Sequence, residues 1–250
     1  MRYFIRLGYD GTGFHGWQRQ PNAVSVQSTI EDALATVMRH HIDITGAGRT
    51  DAGVHAREMF AHFDTDRTIP DVKKLIVALN RLCGKLISIY DIFPAENEAH
   101  ARFDATKRTY KYFVLFEKSP FFRNMAWLSP SRLDIERMND AATVLLGTQD
   151  FTSFAKLHSD AKTNICNVTE AHWEMLKGID GAVFTISADR FLRNMVRAVV
   201  GTLVDVGRGK LTRSDVERIM TEKNRCSAGT SMPAEALYLW QVDYPYLPRE

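Results

Sequence analysis

The stretch from Gly46 to Ala56, Gly-Ala-Gly-Arg-Thr-Asp-Ala-Gly-Val-His-Ala, restricts the fold more than any other part of the chain. Glycine reaches positive φ cheaply and carries no Cβ, so Gly46, Gly48 and Gly53 mark a tight loop pressed against a neighbour rather than a helix. Ile42 and Ile44 alternate before it, and Met59, Ala61 and Phe63 alternate after it, so the loop joins two strands. Asp51 is the only acid inside it. A carboxylate held this way can be aimed, and Arg49 beside it either meets an anionic substrate or keeps the carboxylate ionised. The glycine spacing is not G-x-G-x-x-G, and no Gly-Lys-Ser/Thr follows, so neither a dinucleotide fingerprint nor a P-loop is present. Taken alone, the loop also fits a purely structural turn. Asp51 and His55 would line up as metal ligands on a helix, which the glycines oppose.

The remaining chain supplies strands and helices in alternation. Arg2 to Tyr9 alternates as a strand and ends in the turn Asp10-Gly11-Thr12-Gly13. Phe14 to Gln20 mixes aromatic, amide and basic groups in a loop able to stack on bases, or to bury one tryptophan. Ser25 to His40 has helical spacing, with Ser28 and Glu31 as a capping box. A second helix starts near Pro70 and stops at Gly84, and Leu86 to Phe93 is a strand. The irregular stretch from Pro94 to Asp104 precedes a new strand and helix series, which divides the chain into domains 1–105 and 106–250.

In the second half, Thr106 to Phe116 is a strand interleaving Lys107, Arg108 and Lys111 with Tyr110 and Tyr112. Tyr112 reads as core, and Tyr110, beside Arg108 and Lys111, as the better candidate for a wet pocket. Asp134 to Leu146 is a helix, and the phenylalanines of Asp150 to Phe154 read as loop anchors. Ile165 to Trp173 and Val183 to Ala188 pair as strands. Asp189 opens a helix to Val206 that places Arg190, Arg193 and Arg197 near one face, next to a stripe containing Phe191 and Met195. A solvated basic face explains such spacing, but Arg197 borders the apolar stripe and there calls for a carboxylate or phosphate. A short helix from Thr212 and a closing strand from Ala236 to Val242 complete the chain.

Composition narrows the class. With 250 residues, 45% hydrophobic and 25% charged, the chain suits a soluble globular protein of one large or two ordinary domains. Thirty-two Lys and Arg against 30 Asp and Glu give a net charge of +2, so nucleic-acid binding would have to come from local clustering. Cys83, Cys166 and Cys226 are isolated, which opposes a disulfide framework or zinc site and suits a reducing cytoplasm. No apolar run approaches the roughly 20 residues of a membrane span, so neither export nor membrane insertion is expected.

Four ordered segments resemble the tRNA pseudouridine synthase A family. They are Tyr9 to Gln18, Gly48 to Ala56, Lys107 to Tyr112 and Phe191 to Arg197, and the Arg-Thr-Asp-Ala-Gly-Val-His string is specific by itself. The resemblance implies an α+β fold of two α/β halves with mostly antiparallel sheets around a central basic cleft. It implies conversion of uridine to pseudouridine in the anticodon stem-loop of tRNA, by a cytoplasmic homodimer, without metal or organic cofactor. By the same resemblance Asp51 is the catalytic carboxylate and Arg197 its basic partner. Tyr110 lies against the uracil, Arg49 holds the nucleotide out of its stack, and Leu237 touches the base.

Chemistry supplies a reason for these residue types. The N1–C1′ bond must break, the uracil must turn, and C5 must join the same carbon, so the detached base has to be retained by an aromatic-lined pocket. An ionised Asp51 acts as nucleophile or as base, and Tyr110 offers a ring face and a hydroxyl near C5. The target must leave its stack to be reached. Two positions depart from the family pattern: Ala236 replaces a usual glycine, with a shift of the preceding turn expected, and Cys166 replaces a common arginine. A tRNA-binding protein without turnover and a metal hydrolase using Asp51 and His55 are the competing readings.

Overall fold

The computed structural model describes residues 1–156 and 162–247. Two compact units divide the chain: Met1–Thr106 together with the segment from Tyr238 onward, and Lys107–Leu237.

In the first unit, β1 (Arg2–Tyr9) leads through a loop to α1 (Val26–Met38), β2 (Thr45–Gly46), β3 (His55–Asp64), α2 (Val72–Leu82) and β4 (Ile87–Ala95). β1 lies between β3 and β4, antiparallel to both, and β2 adds to β3 by pairing Thr45 with His62 and Gly46 with Ala61. Both faces of β1 carry buried side chains. Ile5 and Leu7 are fully buried, and so is Phe4 on the opposite face, where it meets Phe93, His62, Tyr244 and Tyr246 in a cluster of rings. Caps set the helix starts. Asp71 accepts the Lys74 N–H to begin α2, and the capping box of α1 is Ser25 with Ser28 rather than Ser28 with Glu31. Glu31 is instead 1% exposed.

The second unit contains β5 (Lys107–Leu115), β6 (Trp127–Leu128), α3 (Ile135–Ala142), β7 (Gly147–Asp150), β8 (Ile165–Met175), β9 (Gly181–Ala188), α4 (Met195–Gly207) and α5 (Arg213–Glu222). The antiparallel order is β5-β9-β8-β7, with β6 beside β5. Every residue of β9 is buried, and nearly all of α4 is, so α4 is an interior helix rather than an amphipathic one. Phe151 and Phe154 are fully buried anchors.

The helix predicted from Asp189 begins only at Met195, behind Asn194 in the left-handed region at φ 67°. Local hydrogen bonds compete with the helix here. The Asp189 carboxylate accepts the N–H groups of Asn167 and Arg190, and the Arg193 carbonyl accepts the Lys156 N–H. Arg190, Arg193 and Arg197 therefore do not share a helix face, and Phe191 is not part of the α4 stripe.

The last strand, β10 (Leu237–Asp243), runs parallel to β3 through Tyr238 with His55 and Leu239 with Ala56. Local patterning identifies it as a strand, whereas its return to the first unit is a matter of tertiary pairing.

Candidate active site

The loop carrying Asp51 is fitted to the Asp10–Trp17 segment by backbone contacts. Trp17 N–H donates to the Thr50 carbonyl at 3.3 Å, and Gly53 N–H donates to the Phe14 carbonyl at 3.3 Å. The Thr50 and Tyr9 hydroxyls share a hydrogen bond of 2.9 Å. Glycine is needed at two of these approaches: a Cβ on Gly16, at φ +89°, would overlap the Thr50 carbonyl, and one on Gly46 would lie 2.5 Å from the Trp17 indole. Trp17 is thus a 2% exposed support for the loop and not a base-stacking platform. Within the loop, the Asp51 carbonyl accepts the Val54 N–H at 3.2 Å, which closes the turn that aims the half-buried Asp51. Arg49 is exposed, and its Nε donates to the Gln18 amide oxygen at 3.1 Å.

His55 has a different use from Asp51. Its ring stacks on Tyr238 with centroids 4.5 Å apart, and Nδ1 lies 3.1 Å from both the Gly11 nitrogen and Asp10 Oδ1. Unprotonated, Nδ1 accepts the Gly11 N–H; protonated, it donates to Asp10. Burial raises the Asp10 pKa, but hydrogen bonds from Thr12 and the nearby His55 outweigh it and leave the carboxyl below its usual range. Burial, and then the Asp10 charge, push the Tyr238 phenol up to about 12. Among the described residues, no three His, Cys, Asp or Glu side chains are grouped to hold a metal ion.

In the second unit, Tyr110 is half-buried on β5, and its ring meets Phe191 at 85° with centroids 5.1 Å apart. Tyr112, two residues on, is fully buried. Its phenol is raised well above the ordinary range by burial and by the Glu235 charge, against the opposing Arg197 charge. Tyr112 is therefore core, as its position on the strand predicts.

Arg197 is the third residue of α4 and clamps the segment that precedes β10. Its Nε donates to the Met232 carbonyl at 2.6 Å, and Met232 N–H donates to the Arg197 carbonyl at 3.1 Å. The same segment is held by Asn194 Nδ2 to the Ser231 hydroxyl at 2.6 Å and by Gly229 N–H to the Thr202 hydroxyl at 2.9 Å. Gly201 permits this contact, since a Cβ there would overlap the Thr230 carbonyl. Leu237, 5% exposed, follows the single turn Ala234–Ala236. Ala236 is fully buried without a positive φ, so the backbone here accepts alanine. Cys166 is fully buried on β8, with its thiol pushed up to about 12 chiefly by burial.

Two features escape sequence reasoning. Glu31 collects Arg19 Nε at 2.6 Å, Gln27 Nε2 at 2.8 Å and the Ile44 N–H at 3.1 Å, tying α1 to both loops. A buried acid four residues after Gln27 is indistinguishable from a surface acid in one sequence. Arg102 reaches the pocket beside Gly48 and Arg49, although nothing in the irregular 94–104 stretch singles it out.

Comparison with known proteins bears on the whole chain. A family model described as tRNA pseudouridine synthase matches residues 141–245, a class in keeping with the mixed, mostly antiparallel fold. The tRNA pseudouridine synthase A of Parabacteroides distasonis is 56% identical over 244 residues, covering 98% of this chain and 96% of that protein. Its counterpart in Bacteroides fragilis is 53% identical, covering 98% and 97%, and that of Bacillus licheniformis is 39% identical, covering 98% and 99%. The chain belongs to the tRNA pseudouridine synthase A family.

Proposed function

We propose that the protein isomerises uridine to pseudouridine in the anticodon stem-loop of tRNA. The observation that carries this is the Arg49-Thr50-Asp51 loop, seated on the Tyr9–Trp17 segment, in a chain 56% identical over nearly its full length to a tRNA pseudouridine synthase A. Asp51 is the catalytic carboxylate. Both roles open to it, nucleophile and base toward a sugar proton, require its ionised form. Tyr110 presents its ring to the uracil and its hydroxyl toward C5, Arg197 is the accompanying cation, Arg49 holds the turned-out nucleotide, and Leu237 lies against the base.

The reaction is redox-neutral: the N1–C1′ bond is exchanged for C5–C1′, the proton on C5 leaves, and N1 gains one. It calls for no metal and no organic cofactor. No helix among the described residues is long and apolar enough to cross a membrane. A homodimer in the cytoplasm completes the proposal, with the first half of the chain supplying the aspartate loop and the second the tyrosine strand and Arg197.

Unmodified tRNA tritiated at uridine C5 tests this directly. Wild-type protein is expected to release tritium and Asp51→Asn to release none above background. Equal release from both would remove Asp51 from the chemistry, and none from wild type would remove the activity.

A further inference from the structure

We propose that the pocket beside Gly48 seats a backbone phosphate of the bound RNA; this rests on tRNA being the substrate. The pocket, about 140 Å³, lies within the first unit, and its lining includes Gln18, Thr45, Gly48, Arg49 and Arg102, with no Asp or Glu. Two arginines, two glutamines and a threonine therefore contribute to the lining of a small cavity, residue types that suit a phosphodiester, with Gln27 held by Glu31 and the Ile44 carbonyl. Glu31, which holds Arg19, Gln27 and the Ile44 N–H, is not part of the lining.

Gly48 supplies the independent observation. Gly11, Gly16 and Gly46 are required by the protein itself, because a Cβ on any of them would strike the Val54 carbonyl, the Thr50 carbonyl or the Trp17 ring. Gly48 has no positive φ, and a Cβ there would meet nothing within 4 Å. The space over Gly48 is thus open, and a partner can approach the backbone closely there.

A polynucleotide explains the surroundings better than a small anion. Phe103 is 74% exposed, and the Arg102 guanidinium lies 5.7 Å from its ring centroid. A cation at the pocket and an exposed ring next to it form the pairing of phosphate contact and stacking surface that single-stranded RNA uses. Because Asp51 lies three residues beyond Gly48, the phosphate is assigned to a nucleotide adjacent to the target uridine.

The test uses synthetic anticodon stem-loops, each with one methylphosphonate replacing a single phosphate near the target. Their affinities are measured for wild type, Arg102→Ala and Gly48→Leu over a range of salt, with melting temperatures alongside and Gly48→Ala as the smaller probe. Arg102→Ala is expected to weaken binding about tenfold and to lower the salt slope by roughly 0.7–0.9. Gly48→Leu is expected to weaken binding at an unchanged melting temperature. One methylphosphonate position should reproduce the loss in wild type and add nothing in Arg102→Ala. Unchanged affinity in Arg102→Ala, or no position that couples to it, overturns the proposal. Inorganic phosphate that competes while no backbone position couples would make this an anion pocket and also overturn it. Tritium release by the same wild-type protein keeps the two readings apart, since coupling without release would sink turnover and leave the phosphate seat standing.

Discussion

The Glu31 carboxylate accepts the Ile44 N–H at 3.1 Å from the interior of the first unit, two residues before the glycine loop begins. Replacing it with alanine leaves that buried N–H without an acceptor and releases Arg19 and Gln27. Glu31→Ala is expected to cost about 2–3 kcal/mol, and Glu31→Gln, which retains one acceptor oxygen, about 1 kcal/mol. Urea unfolding measures both. Equal stability of the alanine variant and wild type would show that water replaces the carboxylate.

Glycines around Asp51 should differ sharply in tolerance. Gly16→Ala places a Cβ against the Thr50 carbonyl at a positive φ, for an expected loss of at least about 2 kcal/mol. Gly48→Ala meets no atom and should remain within about 0.5 kcal/mol of wild type. Thermal melting of the two variants side by side tests the contrast.

In the second unit, the contact of α4 with the segment before β10 leaves no room for a methyl group. Gly201→Ala sets its Cβ into the Thr230 carbonyl within a rigid backbone, and a loss of about 3 kcal/mol or failure to fold is expected. Hydrogen exchange at the Gly229 and Met232 amides should rise before global unfolding does. Protection equal to wild type would contradict the close packing.

Arg197 has a local duty besides the proposed chemistry. Lysine has no Nε–H at the same depth, so Arg197→Lys loses the bond to the Met232 carbonyl, for about 1 kcal/mol of stability. Tritium release should fall much further than this modest loss of folding explains. A variant with normal release would limit Arg197 to a structural role.

Acid sensitivity should arise partly at His62. Burial first, and then the Arg2 and His100 charges, push its imidazole down to about 4, and Nδ1 accepts the Ala101 N–H at 3.1 Å. The native ring stays neutral to about 4, while an unfolded histidine takes up its proton near 6.5. The unfolded state therefore binds more protons within this window, and stability falls as pH drops through it, by on the order of 2 kcal/mol. His100, also lowered by burial and by Arg2, contributes in the same direction. Urea unfolding of wild type and His62→Gln across the window should show a flatter profile in the variant.

Local signals in the chain determined most element types and the two principal loops, because strand alternation, caps and glycine clusters act over a few neighbouring residues. They also marked Asp51, whose loop has one acid, and separated Tyr112 as core from the half-buried Tyr110. Tertiary structure decided what depends on distant partners. The Asp189 carboxylate bonds to backbone N–H groups at Asn167 and Arg190, which delays the helix to Met195 and breaks the apparent arginine face. Glu31 became an interior anchor because Arg19 and the Ile44 N–H converge on it, and β10 joined β3 although most of the chain separates them in sequence. Helical spacing and β propensity are summed over neighbours in sequence, whereas a buried carboxylate or a strand partner is selected by groups that only folding brings within a few ångströms.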